Sequence, residues 1–191
     1  MKINNTYIEN RRQPYLIAEI GVNYFDIAEQ QNITALAAAK KMVAEAATAG
    51  VDAVKFQSYS ADQLASKNSP AYWDTSKESV ESQHELFSQY DDFGEKEFQK
   101  LAEWTADNYD VDFLSTPFDF HAVTYLENLV PAYKIASADI TNHPLLRCIA
   151  RQQKPILLST GASTISEIDE AVRVIEKEIQ DPEICLLHCI L

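Results

Sequence analysis

Six short apolar runs, each carrying or ending on a residue that a buried core would reject, limit how this chain can fold. They are residues 16–21 with Glu19 inside, 53–57 carrying Lys55, 113–116, 133–137 carrying Lys134, 156–160, and 185–191 carrying His188. Each is strand-length and rich in Ile, Val, Leu and Phe, and a helix-period stretch separates it from the next. A βα alternation of this kind builds a parallel sheet, and in a closed barrel the C-terminal ends of all strands open onto one face. Acids, lysines, hydroxyls and a histidine at such ends are aimed at one pocket, which is the layout of an enzyme.

The intervening segments carry helix signals. Residues 32–49 place Leu36, Ala39, Val43 and Ala46 at helical spacing, with Gly50 as a C-cap. Phe98, Leu101, Ala102 and Thr105 mark another helix, and Asp119 caps one that holds Val123, Leu126 and Leu129. Asn142 or His143 precedes Pro144 at the first helical position, opening a helix with Leu145, Leu146 and Ile149. Thr164 with Glu167 forms a capping box ahead of Ile168, Ala171, Val172 and Ile175. Residues 58–93 are instead long, polar and aromatic, with a short helical pattern at 81–89. An excursion of that length in a compact domain reads as functional, a lid or substrate-binding segment, or as disordered.

About six strands and five helices fall short of a complete eightfold barrel, which takes roughly 250 residues. The chain also stops inside an apolar run. The expected fold is therefore α/β, a TIM (βα)8-type barrel truncated after its sixth strand, with residues 1–191 as the N-terminal part of the barrel. The alternative is a six-stranded open sheet of the doubly wound type.

The formal net charge of −13 over 191 residues argues against nucleic acid and anionic membranes as partners. No apolar run approaches the roughly 18 residues that span a bilayer, and residues 1–14 lack the apolar segment of a secretory signal. Cys148, Cys185 and Cys189 read as reduced, buried thiols, so the expected location is the cytoplasm. Cys185 and Cys189 lack a second Cys/His pair at zinc spacing, and no complete metal site is legible.

Lys55 and Lys134 lie among apolar neighbours in strands expected to be buried on both faces. An ammonium there is costly unless partnered, so these lysines point to a bound phosphate or carboxylate, or to a Schiff base. Ser115-Thr116-Pro117 and Ser159-Thr160-Gly161 repeat a hydroxyl pair followed by a strand breaker. They suit either an anion or ordinary strand-exit chemistry. Ser137, three residues after Lys134, could grip the same group. Glu19 suits an acid/base role or an ion pair with Lys55, and His188 suits either a core position or a place in the pocket wall.

Read in order, Ala18-Glu19-Ile20-Gly21-Val22-Asn23, Ala53-Val54-Lys55-Phe56-Gln57, Phe113-Leu114-Ser115-Thr116-Pro117-Phe118, Tyr133-Lys134-Ile135-Ala136-Ser137, Ile156-Leu157-Leu158-Ser159-Thr160-Gly161 and Leu187-His188-Cys189 resemble the sialic acid synthase family. Its members make N-acetylneuraminate, legionaminate and pseudaminate. The resemblance implies a TIM barrel followed by a small antifreeze-like domain, the latter absent from this chain, and a homodimer at full length. It implies condensation of phosphoenolpyruvate with an N-acetylated aminosugar aldehyde, with a divalent metal (Mn or Mg) whose ligands lie beyond residue 191. By the same resemblance Lys55, Thr116, Lys134, Ser137 and Ser159 match phosphoenolpyruvate-binding positions. Glu19 matches the acid near the reacting centre, Gln57, Asn68 and Ser82 match the sugar side, and His188 matches a pocket-lining residue. The chain departs from the family at Tyr24, at Ala138-Asp139 and at Leu191. Tyr24 is expected to reshape the sugar pocket, with Tyr59, Tyr72 and Trp73 offering faces to acetyl groups. A class I aldolase forming a Schiff base with pyruvate, and a truncated, inactive sugar-binding or assembly module, are the alternatives.

Overall fold

A computed structural model describes residues 1–76 and 79–190. The family departure at Leu191 lies outside them. Two parallel three-stranded sheets stand side by side. One runs in the order β3 (Ile17–Gly21), β4 (Ala53–Ser58), β5 (Asp112–Pro117), the other β6 (Tyr133–Ile135), β7 (Ile156–Ser159), β8 (Ile184–Leu187). Within each sheet neighbour order follows chain order, so the described residues show no reversal of the kind that defines a doubly wound sheet. The order is that of consecutive βα units in a barrel-type α/β fold. Ahead of them β1 (Lys2–Ile3) and β2 (Thr6–Tyr7) form a small antiparallel hairpin, too short for any periodicity to announce it.

Helices fill the connections. After β3 comes α1 (Tyr24–Gln31), ended by Asn32 in the left-handed conformation, then α2 (Ala35–Thr48), capped by Thr34 accepting from the Ala37 amide at 3.2 Å. The long segment after β4 contains α3 (Ala61–Leu64) and α4 (Gln83–Ser88) before α5 (Glu95–Asn108). Then come α6 (Phe120–Leu126), α7 (His143–Ala150) and α8 (Ile165–Glu176). Asp119 caps α6 and the Thr164/Glu167 capping box opens α8, as the residue types require. In α7 the cap is Asn142, which puts Pro144 one position later than expected. Among the described residues no helix is long and apolar enough to cross a membrane.

The alternation of each strand separates two cores. Val54, Phe56, Phe113, Tyr133, Ile135, Ile156 and Leu158 face a layer of helices and pack against Val43, Phe98, Leu101, Val123, Leu146 and Ile175. Ala53, Leu114, Ala132 and Leu157 face the other way, onto Ile3, Met1, Ile8 and Tyr15 of the N-terminal segment. The helices thus cover one face of the strands, as in a barrel, and the hairpin region covers the N-terminal end of the inner face. The inner line continues toward the C-terminal ends, where its side chains turn polar.

Candidate active site

Because successive side chains alternate across a strand, the inner line on β3 is Ile17 and Glu19. On β4 it is Ala53, Lys55 and Gln57, on β5 Leu114 and Thr116, and on β6 Lys134. On β7 it is Leu157 and Ser159. Glu19 stands beside Lys55 in the parallel register, and Gln57 beside Thr116. Lys55, only 7% exposed, ion-pairs with the half-exposed Glu19 and donates from Nζ to the Thr116 hydroxyl at 3.2 Å. The carboxylate and hydroxyl offset the cost of burying that ammonium.

Lys134 is half-buried and donates to its neighbour's carbonyl, Ile135 O, at 3.0 Å. Burial first, and then the nearby charge of Lys55, bring its pKa down to about 8, against the opposing pull of Glu19 and Cys189. Two cations close enough to perturb one another, walled by hydroxyls, form a site for a small anion.

Two glycines keep this corner open. At Gly21, where the β3–β4 register shifts and φ is +60°, a Cβ would stand 3.3 Å from the Gln57 amide nitrogen and 3.4 Å from Glu19 Oε1. At Gly161 it would stand 3.1 Å from Ser137 Oγ and 3.0 Å from Cys189 Cβ. Ser137, on the short turn after β6, and Cys189, just past β8, therefore flank one point at the end of β7.

The hydroxyl pairs divide. Thr116 and Ser159 belong to the inner line. Ser115 faces the other side, fully buried, and shares a 2.7 Å hydrogen bond with Ser58. Thr160 donates to Leu187 O at 3.0 Å. Only one member of each pair is available for an anion, because adjacent residues of a strand point to opposite faces. The same rule acts at β8. His188 lies just past the strand, exposed, and by alternation goes with Ile184 and Leu186, whereas Cys185, Leu187 and Cys189 follow the inner parity. Cys189 is the residue that residue-type reasoning missed and that counting in twos from Cys185 could have found. Burial opposes its ionisation. The Thr160 backbone, the Ser159 hydroxyl, the Gly161 backbone and the Lys134 charge outweigh this and lower its pKa. All three cysteines are free and half-buried, less enclosed than their composition suggested.

A cavity of about 490 Å³ adjoins this cluster, lined by Gln57, Tyr59, Tyr72, Gln83, Phe118 and Asp139 among others. Gln57 belongs to both regions. The long segment that roofs the cavity is tied down at both ends. The Ser60 amide donates to Asp119 Oδ2 and the Ala61 amide to Asp91 Oδ2, each at 2.9 Å. Tyr59 packs edge-on against Phe87 and Phe118, while the Trp73 indole donates to Val80 O and pins the loop to itself.

Of the three residues expected on the sugar side, Gln57 lines the cavity. Asn68 lies in an exposed turn, and Ser82 caps α4 through the Glu85 amide; neither is in the lining. Gln83 and Asp139 are there instead. Asp139 is half-buried, which raises its pKa, while Asn142 Nδ2 donates to it at 3.1 Å and supports the charged form. Tyr24 does not reshape this pocket. It is 1% exposed and buried against Phe56 and Phe93 in the helix-side core. Among the described residues no group of three or more His, Cys, Asp or Glu side chains is placed to hold a metal ion.

The NeuB family profile matches residues 42–191. The chain is 37% identical over 183 residues to the N,N'-diacetyllegionaminic acid synthase of Campylobacter jejuni, covering 93% of this chain and 52% of that protein. It is 30% identical over 180 residues to the N-acetylneuraminate-9-phosphate synthase of Drosophila melanogaster, covering 92% and 45%. The crystal structure of an N-acetylneuraminic acid synthetase from Leptospira borgpetersenii in complex with citrate superposes with a TM-score of 0.79 at 32% identity, covering 100% of this chain and 59% of that one. The chain spans about half the length of the curated relatives it matches.

Proposed function

The chain belongs to the NeuB family, and from that premise we propose that its protein is a nonulosonate synthase that condenses phosphoenolpyruvate with an N-acetylated aminosugar aldehyde. The observation that carries this reading is the pair of partly or fully buried lysines, Lys55 and Lys134, set among Thr116, Ser137 and Ser159 in a chain of net charge −13. Cations concentrated at one point of an acidic protein, and enclosed from water, suit a small polyanion such as phosphoenolpyruvate.

In this mechanism the lysines hold the carboxylate and phosphate and the hydroxyls donate to their oxygens. The enol C3 bonds to the aldehyde carbon of the sugar, whose oxygen takes up a proton. Water adds to the electron-poor C2 that results, and the C2–O bond breaks with its electron pair leaving on phosphate. Glu19, half-exposed beside Lys55, is placed to accept a proton from the water or from a sugar hydroxyl. A divalent metal remains part of the proposal. The described residues supply no ligand set for it.

Lys134, with its lowered pKa, also favours a second reading, an amine nucleophile of the class I aldolase type. Incubating the purified gene product with phosphoenolpyruvate and a panel of aminosugars separates the two. Phosphate release that depends on an aminosugar, with a bridging-oxygen label recovered in the phosphate, is the expected result. A pyruvate-dependent, borohydride-trapped adduct on Lys55 or Lys134 without phosphate release would overturn the synthase reading.

A further inference from the structure

We propose that Gly161 is a positioning residue for the anion site, and that it acts by leaving room for the Ser137 hydroxyl. This rests on the reading of the reaction above and deepens it, since it names a residue that acts on phosphoenolpyruvate through a neighbour. The backbone does not demand this glycine. The left-handed residue of the turn is Ala162, with φ of +52°, whereas Gly161 lies outside that region. What position 161 requires is space. A Cβ there would stand 3.0 Å from Cys189 Cβ, 3.1 Å from Ser137 Oγ and 3.4 Å from Cys189 Sγ. Contacts that tight force a neighbour to move, as an extra methyl does in a packed core. The corner also belongs to the anion site, because the Ser159 hydroxyl bonds to Cys189 and the Lys134 charge bears on it.

The groups around Gly161 differ in how far they can yield. The Leu187 carbonyl, two residues before Cys189, accepts from the Thr160 amide at 3.1 Å and from the Thr160 hydroxyl at 3.0 Å. Those two bonds tie the end of β8 to the residue before the glycine, so Cys189 Cβ cannot retreat far. On the other side the Ser163 hydroxyl donates to Gly161 O at 3.1 Å, and the capping box at Thr164 anchors the start of α8. A methyl at 161 could not back away along its own chain. Ser137 is different. Its carbonyl accepts from the Ile140 amide at 3.2 Å, which holds the backbone, but its hydroxyl turns about one single bond. Ser137 Oγ is the contact that gives way, and it would leave the anion while the fold is kept.

The test uses the purified gene product, reading Kd for phosphoenolpyruvate by calorimetry and then kcat and KM from phosphate release with an aminosugar. Gly161→Ala should weaken phosphoenolpyruvate binding about tenfold, the loss of one hydrogen bond to a charged group. The effect should fall on KM, with kcat at saturating phosphoenolpyruvate kept. Ser137→Ala should weaken binding to the same degree, and the two substitutions together no further, because both remove one contact. Ala162→Gly, which relieves the left-handed residue, should leave affinity unchanged. Should Gly161→Ala fold poorly, the double variant Gly161→Ala/Cys189→Gly restores the missing room and should bind phosphoenolpyruvate as Cys189→Gly does. Unchanged affinity in Gly161→Ala, or losses from Gly161→Ala and Ser137→Ala that multiply, would overturn the inference. So would a failure of both Gly161→Ala proteins to fold, since the glycine would then serve the fold alone. Phosphoenolpyruvate that does not bind the unsubstituted protein would instead overturn the anion-site reading on which the inference rests.

Discussion

The inner faces of the same strands carry opposite chemistry at their two ends. Toward the N-terminal end, Ala53, Leu114, Ala132 and Leu157 are sealed by Ile3 of the hairpin. The charged groups at that rim are satisfied locally: Arg11 pairs with Asp52 at 2.7 Å, and the Tyr15 hydroxyl and the Asn4 amide both donate to the Asp112 carboxylate. Toward the C-terminal end, one or two inner positions further along each strand, the line becomes Glu19, Lys55, Thr116, Lys134 and Ser159, and its lysines are left with a surplus of donors. The lesson is that a closed rim and an open one differ less in composition than in pairing. Aspartates, an arginine, an asparagine and a tyrosine saturate each other below, whereas above Lys55 holds the carboxylate of Glu19 and Lys134 donates to a backbone carbonyl. Lys154, donating to Val130 O at 2.6 Å and also to Glu127 O at the end of α6, shows the same residue type in a purely structural setting.

The comparison can be broken first at the sealed end. Leu114→Ala, at a fully buried inner position, should cost about 2–5 kcal/mol of stability. Urea titration measures it, with the affinity of the folded fraction for phosphoenolpyruvate unchanged. A large loss of affinity at equal folded fraction would show that the two ends are not separable.

Lys55→Ala should do the reverse. It should weaken phosphoenolpyruvate binding by about 1.5–3 kcal/mol, the range for hydrogen bonds to charged groups, as read by calorimetry, with helicity by circular dichroism retained. Retained affinity would remove Lys55 from the anion site.

The smallest effect is one of pH. The Lys134 pKa lies at about 8 rather than 10.5, so its ammonium is intact below pH 8 and is lost as pH rises through that value. Affinity for phosphoenolpyruvate should then fall by at most about tenfold per pH unit. Lys134→Arg should flatten the dependence, because a guanidinium stays charged. The sign for stability is opposite. The folded chain holds this proton more weakly than the unfolded chain does, so the stability of the ligand-free protein should rise between pH 8 and 10.5. A falling stability over that window, with Lys134 intact and absent in the Arg variant, would contradict the assigned shift.

The order of strands and helices, the Asp119 cap and the Thr164/Glu167 capping box were readable in the sequence because periodicity and capping are local. Each needs only residues within a turn or two of one another. So were Lys55, Lys134 and Glu19 as exceptional residues, since charge inside a strand-length apolar run is visible without any partner. What tertiary structure decided was direction and company. A one-residue step changes the face of a strand, and only the folded sheet assigned Thr116 and Ser159 to the inner line while sending Ser115 to Ser58 and Thr160 to a carbonyl. It also gave the inner parity to Cys189 rather than His188, and buried Tyr24 among Phe56 and Phe93. Gln83 and Asp139 were drawn into one cavity wall from segments more than fifty residues apart. No local pattern encodes that meeting, because it depends on where the long segment after β4 is tied by Asp91 and Asp119.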